Sequence, residues 1–565
     1  MRRAGRRAVL AAVAAAMAAQ AAMSTAALAA EADLILWGGP IHTAEESSPR
    51  VEAVAVDGGR IVHAGDRAGA ERLRGPGTLV VELRGAALYP GFTDAHAHLR
   101  GIGEREITLN LEGTPSLAAL VEKVAARAKE APAGAVVSGR GWIETHWPEK
   151  RFPTRQDLDR AAPDRPVILV RADGHALVAN SAALKAAGIT AATTPPAGGD
   201  ILRDGRGEPT GMLIDAAMGL VRKLEAEPSE AERRRAYAIG AEVYAAQGWT
   251  GLHNMGIELE DVALLEAMAG EGKLPIRVYN SVARLHGERL VAAGPRASAD
   301  GMVVTRSVKL YVDGALGSRG AALLEPYADA GGRGLLLAGR EELMPFLEQA
   351  LRRGIQVNTH AIGDRANRLV LDWYEAAFRA VPPAERAVAE PRWRVEHAQV
   401  IDAADIPRFK ALGVIPSMQP SHAIGDLHFA PARLGEARLA GAYAWRALVE
   451  GGNRIAAGSD APVERGDPRI EFYAAVARKD LKGFQGPGWH PEQAVDRATA
   501  LKMLTLWPAA AAFQDQELGS IAVGKRADLT VFSADLMAVP EAEILAVRPL
   551  LTVVDGKVRF RAEGW

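Results

Sequence analysis

The strongest constraint on the fold is a regular alternation of short apolar runs with longer helix-forming stretches, from about residue 87 to residue 514. The apolar runs, such as "GIQVNTHA" and "RWRVEHAQV", are typical of buried strands. The stretches between them, such as "SEAERRRAYAIGAEVYAAQG", have the composition and apolar spacing of a helix. Because parallel strands are joined through crossover helices, this alternation predicts an α/β fold with a parallel sheet.

The apolar runs outnumber the strands of a barrel. Ten candidate strands occur in this part of the chain, two more than an eight-stranded barrel holds. The two surplus strands, "AGAVVSGRGW" and "RPVILVRADGHA", fall within about residues 100–247, an interval far longer than an ordinary connection. We therefore predict a (β/α)8 barrel of the TIM type, with a subdomain inserted after its first strand.

The two ends of the chain have a different sequence pattern, which is typical of β-hairpins. "VEAVAVDGGRIVHAG" near the N-terminus and "LLTVVDGKVRFRAEGW" at the C-terminus each contain short strands around an Asp-Gly turn. They could be unrelated hairpins, but the termini of a domain often lie close together. We predict one small β-sandwich from residues 30–86 and 515–565, with the barrel over residues 87–514.

The first 29 residues form a separate segment. Four arginines precede an alanine-rich apolar stretch that ends in small residues, the order found in a secretory signal peptide. The alternative is an uncleaved N-terminal anchor, and the route of export, Sec or twin-arginine, stays open. The segment predicts an exported, periplasmic protein without membrane contact once residues 1–29 are removed.

Composition excludes several classes of function. The chain has no cysteine, so disulfides, thiolate metal sites and thiol nucleophiles are absent. Its formal net charge of -2 provides no basic field for nucleic acid. A metal ion in this protein would have to be held by histidine, carboxylate or modified lysine.

Several polar side chains lie at or near the ends of the predicted barrel strands. In β/α barrels the catalytic residues lie at the C-terminal ends of the strands. His96 and His98 end strand 1, and because they are two residues apart they face the same side. The others are His253 on strand 2, Lys309 on strand 4, His360 on strand 5, His397 on strand 6 and Asp460 on strand 8. Imidazole and carboxylate groups converging at one barrel mouth predict a metal site, with zinc as the default ion.

Each of these residues also has a structural interpretation. The two histidines of strand 1 could be hydrogen-bonded polar residues, and Asp460 could cap the next helix. Lys309 could pair with Asp313, four residues further on. Alternatively, burial would favour its neutral amine, which can react with carbon dioxide to form an anionic carbamate that bridges two cations. The residues alone leave the two states of Lys309 open.

Eight stretches resemble the amidohydrolase superfamily, and more closely amidohydrolase family 3, the group that includes N-substituted formamide deformylase. They are "YPGFTDAHAHL", "GRGWIETHWPEKRFPTRQDLD", "DGHALVANSAAL", "KLYVDGALGSRGAAL", "NTHAIGDRA", "RVEHAQV", "GSDAPV" and "GSIAVGKRADLTVF". These stretches extend over essentially the whole chain after residue 29. The resemblance implies the same barrel and terminal β-sandwich, and it favours carbamylation of Lys309.

The resemblance also implies an arrangement of ligands. His96, His98 and Asp460 would bind the more buried metal, and His360 and His397 the more exposed one. Carbamylated Lys309 would bridge these two positions. Two Zn²⁺ ions per chain are expected, and occupancy by a single ion stays open.

The implied reaction is hydrolysis of a non-peptide C–N bond in a small amide by a metal-bound hydroxide. Asp460 would pass the proton to the leaving amine. We also expect His253, His175 and Arg319 to contact the substrate, although a structural role for each is equally open.

The sequence leaves three other functions open, one of which is a structural or regulatory exoprotein that needs no metal-bound hydroxide. The same metal pair could hydrolyse an ester, a lactone or a phosphoester. A non-catalytic exported binding protein could use the same scaffold. The sequence indicates neither the identity of the substrate nor the oligomeric state.

Overall fold

The computed structural model describes residues 31–132, 134–483, 486 and 488–565. The predicted signal peptide, residues 1–29, lies outside the described residues. Within the described ranges, no helix combines the length and the apolar character needed to cross a membrane.

Eight parallel strands form a barrel sheet in which each strand neighbours the next one along the chain. Barrel strands 1 to 8 are Phe92–Ala97, Trp249–Ile257, Arg277–Ala283, Val303–Tyr311, Gln356–Ala361, Arg394–His397, Ile415–Met418 and Ala456–Ala457. A short strand, Arg296–Ala297, pairs antiparallel to barrel strand 4. The predicted α/β barrel is confirmed.

Hydrogen bonds close the barrel between its first and last strands. The backbone N of Asp460 donates to His96 O at 2.6 Å, and the backbone N of His98 donates to Ala461 O at 2.8 Å. The buried carboxylate of Asp94 accepts from the backbone N of Ser459 at 3.0 Å and from its hydroxyl at 2.5 Å. Burial raises the pKa of Asp94 to about 6. These contacts bring strands 1 and 8 to the same rim.

Helices surround the barrel, and several short helices lie within the loops at its rim. Those joining or following the barrel strands are Glu230–Gln247, Leu259–Gly270, Gly287–Ala293, Arg340–Arg353, Asp364–Ala380, Ile406–Leu412, Trp445–Glu450, Pro468–Ala477, Arg497–Leu504 and Leu506–Ala511. Three short helices follow barrel strand 7: Pro420–Asp426, Ala430–Leu434 and Glu436–Leu439.

Between barrel strands 1 and 2 the chain forms a second sheet of six strands. In spatial order they are Gly199–Arg203, Pro209–Asp215, Ala176–Ala179, Val167–Arg171, Val137–Trp142 and Leu109–Asn110. The helices of this segment are Leu117–Glu130, Arg155–Asp159, Ser181–Ala187 and Gly219–Arg222. Both surplus strands of the sequence pattern lie in this sheet, which we call the inserted sheet.

The third sheet combines strands from both ends of the described chain. In spatial order its strands are Lys557–Arg561, Pro549–Val554, Leu529–Phe532, Ala87–Pro90, Leu34–His42, Arg50–Asp57 and Arg60–Gly65, and Leu79–Glu82 also pairs with Leu34–His42. A short helix, Arg67–Glu71, lies beside it. Leu36, Val54, Leu529 and Val553 belong to one buried cluster, so both ends of the chain share a core.

The helix Leu99–Ile107, which begins directly after His98, packs closely against Glu230–Gln247. The contact depends on small residues, because a Cβ added to Gly103 would lie 1.8 Å from the carbonyl oxygen of Ala236. Ser229 and Glu232 form a capping box that fixes the start of the second helix. This packing fixes the position of the helix that directly follows barrel strand 1.

Substitution of Gly103 by alanine should therefore weaken the fold. The added methyl group meets backbone, which can move only by separating the two helices, so we expect a loss of about 1–3 kcal/mol in the free energy of unfolding. Urea denaturation followed by circular dichroism measures this loss. Gly205→Ala is the matched control, since nothing lies within 4 Å of its added Cβ. Equal midpoints for both variants would contradict the proposed contact.

Candidate active site

Three buried side chains converge at the rim where the barrel closes. His96, His397 and Asp460 each place one potential ligand atom within 4.8 Å of the others. His397 and Asp460 have left-handed backbone conformations, with φ of 73° and 62°. Such values are uncommon outside glycine and cluster at functional sites. They occur where the chain leaves barrel strands 6 and 8.

Two further predicted histidines join this group. His98 Nε2 lies 3.1 Å from Asp460 Oδ1. The ring of His360 lies 4.5 Å from that of His397, centroid to centroid. His360 Nε2 is buried without a hydrogen-bond partner among the described residues. A buried imidazole nitrogen without a partner is costly unless a ligand occupies it.

A second set of groups fixes the orientation of the imidazole rings. His96 Nδ1 contacts Glu396 Oε2 at 2.5 Å, and His397 Nδ1 contacts Gln419 Oε1 at 2.8 Å. His98 Nδ1 contacts the carbonyl oxygen of Met255 at 2.9 Å. When Nδ1 donates to an oxygen, Nε2 carries the free lone pair, and this is the usual support of a metal-binding histidine.

Burial also sets the protonation state of these rings. It lowers the pKa of His96, His360 and His397 well below the ordinary value of histidine. The neutral ring is the form that binds metal. Burial alone would raise the pKa of Asp460, but His96 and His98 outweigh it and hold the carboxyl ionised.

Lys309 is buried on barrel strand 4, and its Nζ lies 3.0 Å from His96 Nε2. The alternative pairing with Asp313 is wrong. Both carboxylate oxygens of Asp313 are used by the backbone N–H groups of Ala322, Ile362 and Gly363, at 2.8 to 3.0 Å. Burial lowers the pKa of Lys309 to about 8.

The potential ligand atoms at this rim fit a metal centre. They comprise imidazole nitrogens with free lone pairs, one ionised carboxylate and one amine of depressed pKa, and sulfur ligands are absent from the chain. This combination suits Zn²⁺ or a similar divalent ion. The six residues predicted as metal ligands thus lie together at one rim.

His253 does not lie at a strand end, contrary to the sequence prediction. Barrel strand 2 extends to Ile257, which leaves His253 in its middle and below the rim. Its Nδ1 accepts a hydrogen bond from Arg394 Nη1 at 2.8 Å, and the ring is buried. Its position is that of a core residue, because the carboxyl end of the strand continues for four residues beyond it.

His175 and Arg319 have different surroundings. The ring of His175 lies 5.1 Å from that of His360, so the inserted sheet contributes directly to the site. His175 Nδ1 contacts Asp215 Oδ1 at 2.5 Å. Although burial disfavours the charged ring, Asp215 raises the pKa of His175. Arg319 instead pairs with Asp329 at 2.9 Å and does not border the cavities described below.

Sequence reasoning missed three residues of the site: Glu396, Gln419 and His422. Glu396 precedes His397 directly, and Gln419 directly follows barrel strand 7, to which the sequence analysis assigned no functional residue. His422 lies three residues further on, and its Nε2 is 3.7 Å from Asp460 Oδ2. The polar run "QPSH" after an apolar strand was the available signal.

A cavity of about 760 Å³ opens over this cluster, between the barrel rim and the inserted sheet. All six predicted metal-ligand residues border it, together with His175 and Asp215. A narrower pocket of about 70 Å³ shares His175, His360, His397 and Asp460 and reaches Phe429. The site is therefore open to a small molecule.

Comparison with known proteins identifies the family. The model of the amidohydrolase family matches residues 79–560. The putative amidohydrolase YtcJ of Bacillus subtilis (strain 168) is 34% identical over 537 residues, covering 93% of this chain and 99% of that protein. N-substituted formamide deformylase of Arthrobacter pascens is 29% identical over 547 residues, covering 94% and 99% respectively.

The fold has a counterpart among solved structures. An uncharacterized metal-dependent hydrolase from Pyrococcus horikoshii has a TM-score of 0.71 and 26% identity, covering 90% of this chain and 99% of that chain. The shared architecture, the sequence match and the candidate metal-binding residues at the rim agree with the resemblance carried by the sequence motifs. The chain belongs to the amidohydrolase family.

Proposed function

We propose that this amidohydrolase hydrolyses the C–N bond of a small, non-peptide amide at the rim of its barrel. One observation carries the proposal. Four imidazoles, one carboxylate and one lysine converge on a cavity, and the buried Nε2 of His360 has no hydrogen-bond partner among the described residues. The relative named as an N-substituted formamide deformylase supports an amide as the substrate.

The histidines and Asp460 would hold the metal. His96, His98 and Asp460 would form the more buried position and His360 and His397 the more exposed one. Bound Zn²⁺ would supply Lewis acidity, polarising the substrate carbonyl and lowering the pKa of water. Glu396, Gln419 and the Met255 carbonyl would keep the imidazole Nε2 atoms directed at the ion.

Lys309 would complete the centre as a carbamate. Its depressed pKa, about 8, increases the fraction of neutral amine at neutral pH. The neutral Nζ adds to the carbon of carbon dioxide and releases one proton, which gives an anionic group with two oxygen ligands. The position of Nζ, 3.0 Å from His96 Nε2, supports a role as a bridge.

Asp460 and His175 would move the protons. Asp460 is ionised and borders the cavity, so it can accept a proton from the attacking water and return it to the leaving amine. His175 faces the same cavity from the inserted sheet, held by Asp215, and can donate a hydrogen bond to the substrate. Export to the periplasm remains part of the proposal.

Metal content tests the role of Lys309. The purified protein, supplied with zinc and bicarbonate, should contain about two metal ions per chain, and Lys309→Ala should lose one of them. Elemental mass spectrometry gives the count. Carbon NMR after addition of isotope-labelled bicarbonate should show a carbamate signal only in the wild type. Absence of metal from the wild type would refute the centre.

Loss of Asp460 tests the proton transfer. Asp460→Asn should lower kcat for amide hydrolysis by roughly 10²–10⁴-fold, because a carboxamide cannot accept the proton. A screen of N-formyl and N-acetyl amines identifies the amide on which this is measured. Asp402→Asn, at an exposed ion pair with Arg368, is the control and should retain activity. Full activity of Asp460→Asn would exclude the proposed mechanism.

The support of His96 gives an independent prediction. Glu396→Gln removes the charged acceptor of the His96 ring and should weaken zinc binding by about 10–100-fold. Competition with a chelator measures the affinity without requiring a substrate. Glu450→Gln, at an exposed glutamate paired with Arg446, provides the control. Unchanged affinity in Glu396→Gln would mean that His96 does not bind the ion.

A further inference from the structure

The cavity over the metal cluster has an arginine in the wall that the inserted sheet contributes. Arg140 lies on the strand Val137–Trp142, and its side chain borders the cavity together with His98 and Asp460. Its Nη1 lies beside Gly101, since a Cβ built there would be 3.4 Å away. The guanidinium is therefore next to the rim at which barrel strands 1 and 8 meet.

The Arg140 guanidinium has no partner of its own among the described side chains around it. In the part of the chain that the structure describes, no ion pair or hydrogen bond reaches it, and Nε is buried without a partner. Burial lowers the pKa of Arg140 to about 10. By contrast, the neighbouring Arg171 is paired with Glu144 at 2.8 Å and with Asp173 at 2.6 Å.

Arg140 is half-buried, and its Nε is buried without a partner among the described residues, so an anion that paired with the guanidinium would offset the cost of its partial burial. Asp460 is the negative group that attracts Arg140 most strongly, but its carboxylate already contacts His98 and faces the metal-binding imidazoles. Once a cation occupies the cluster, Arg140 faces net positive charge. The missing partner is then an anionic group that enters the cavity.

The walls of the cavity restrict the type of anion. Arg222 also borders the cavity but is paired with Glu225. The three carboxylates at the border, Glu104, Asp173 and Asp215, disfavour an ion with two negative charges such as phosphate. A carboxylate carries a single charge, and its two oxygens match the planar fork of a guanidinium.

We propose that Arg140 binds a carboxylate of the substrate, so that the enzyme acts on N-acylated amino acids or similar amides that carry a carboxylate. The inference rests on the proposed amide hydrolysis and narrows its substrate class. Arg140 is then a specificity-determining residue: it selects the substrate through its charged end, while the metal rim holds the amide.

Matched substrates test this inference on the metal-loaded enzyme. N-formyl ω-amino acids of increasing chain length are compared with N-formyl alkylamines of equal length, which lack the carboxylate. The best carboxylate substrate should exceed its neutral counterpart in kcat/KM by roughly 10–100-fold, the range expected for a charged hydrogen-bonded pair. R140M should remove that advantage, leaving the neutral formamides unaffected, and R140K should retain part of it.

The control removes one arginine elsewhere in the inserted segment. Arg160 is exposed and paired with Asp157, so R160M changes the net charge equally and should keep the preference for carboxylates. Circular dichroism confirms that each variant is folded. Equal kcat/KM for charged and neutral formamides in the wild type, or an equal loss of both in R140M, would overturn the inference while amide hydrolysis stands.

A binding measurement separates failure of the inference from failure of the proposed function. Calorimetric titration of the metal-loaded wild type and of R140M with hexanoate requires no turnover. If no amide is hydrolysed but hexanoate binds at least about 10-fold more tightly to the wild type, the role of Arg140 stands and amide hydrolysis fails. Equal binding to both proteins would overturn the role of Arg140.

Discussion

A single buried guanidinium joins four strands of the barrel beneath the cluster of candidate metal ligands. Arg394, at the start of barrel strand 6, donates to the carbonyl oxygen of Ala95 at 2.5 Å and to the Ser417 hydroxyl at 2.7 Å. It also donates to His253 at 2.8 Å and to Glu396 at 3.0 Å. A buried charge is tolerated only when its donors are satisfied, so these strands must keep their register. Glu396 in turn orients His96, and the site depends on this network.

The strand-end histidines were predictable because a barrel strand places its last side chains at the rim. His96, His98, His360 and His397 follow that rule. His253 does not, because its strand continues past it to Ile257, and apolar residues alone do not mark where a buried strand stops. The barrel and its order of strands could be derived from the alternation of strand and helix. The sequence also predicted that both chain ends join, but it placed Ala87–Pro90 in the barrel, whereas this strand pairs with Leu529–Phe532 in the terminal sheet. No local pattern encodes a partner so far along the chain.

The residues that support the candidate ligands were harder to predict than the candidate ligands themselves. Gln419 and His422 stand in a loop after barrel strand 7, where polar residues are ordinary and carry no periodic signal. Arg319 occurs within a motif of the family, yet its side chain pairs with Asp329. The direction of a side chain in a loop depends on tertiary contacts, so the sequence did not identify that partner. The sequence likewise could not show that Arg140 lacks a partner among the described residues, because this depends on which side chains surround it in the folded cavity.

The sheet built from both chain ends constrains how this molecule is assembled. Tyr89 and Asp535 are separated by 446 positions in the sequence, yet the tyrosine hydroxyl donates to that carboxylate at 2.9 Å. Such a contact closes a loop of most of the chain, which is entropically expensive to form and slow to find. On a ribosome the early strands of this sheet must wait for the last ones to be synthesised. The strand that leads into the His96–His98 motif is therefore secured only when synthesis is nearly complete.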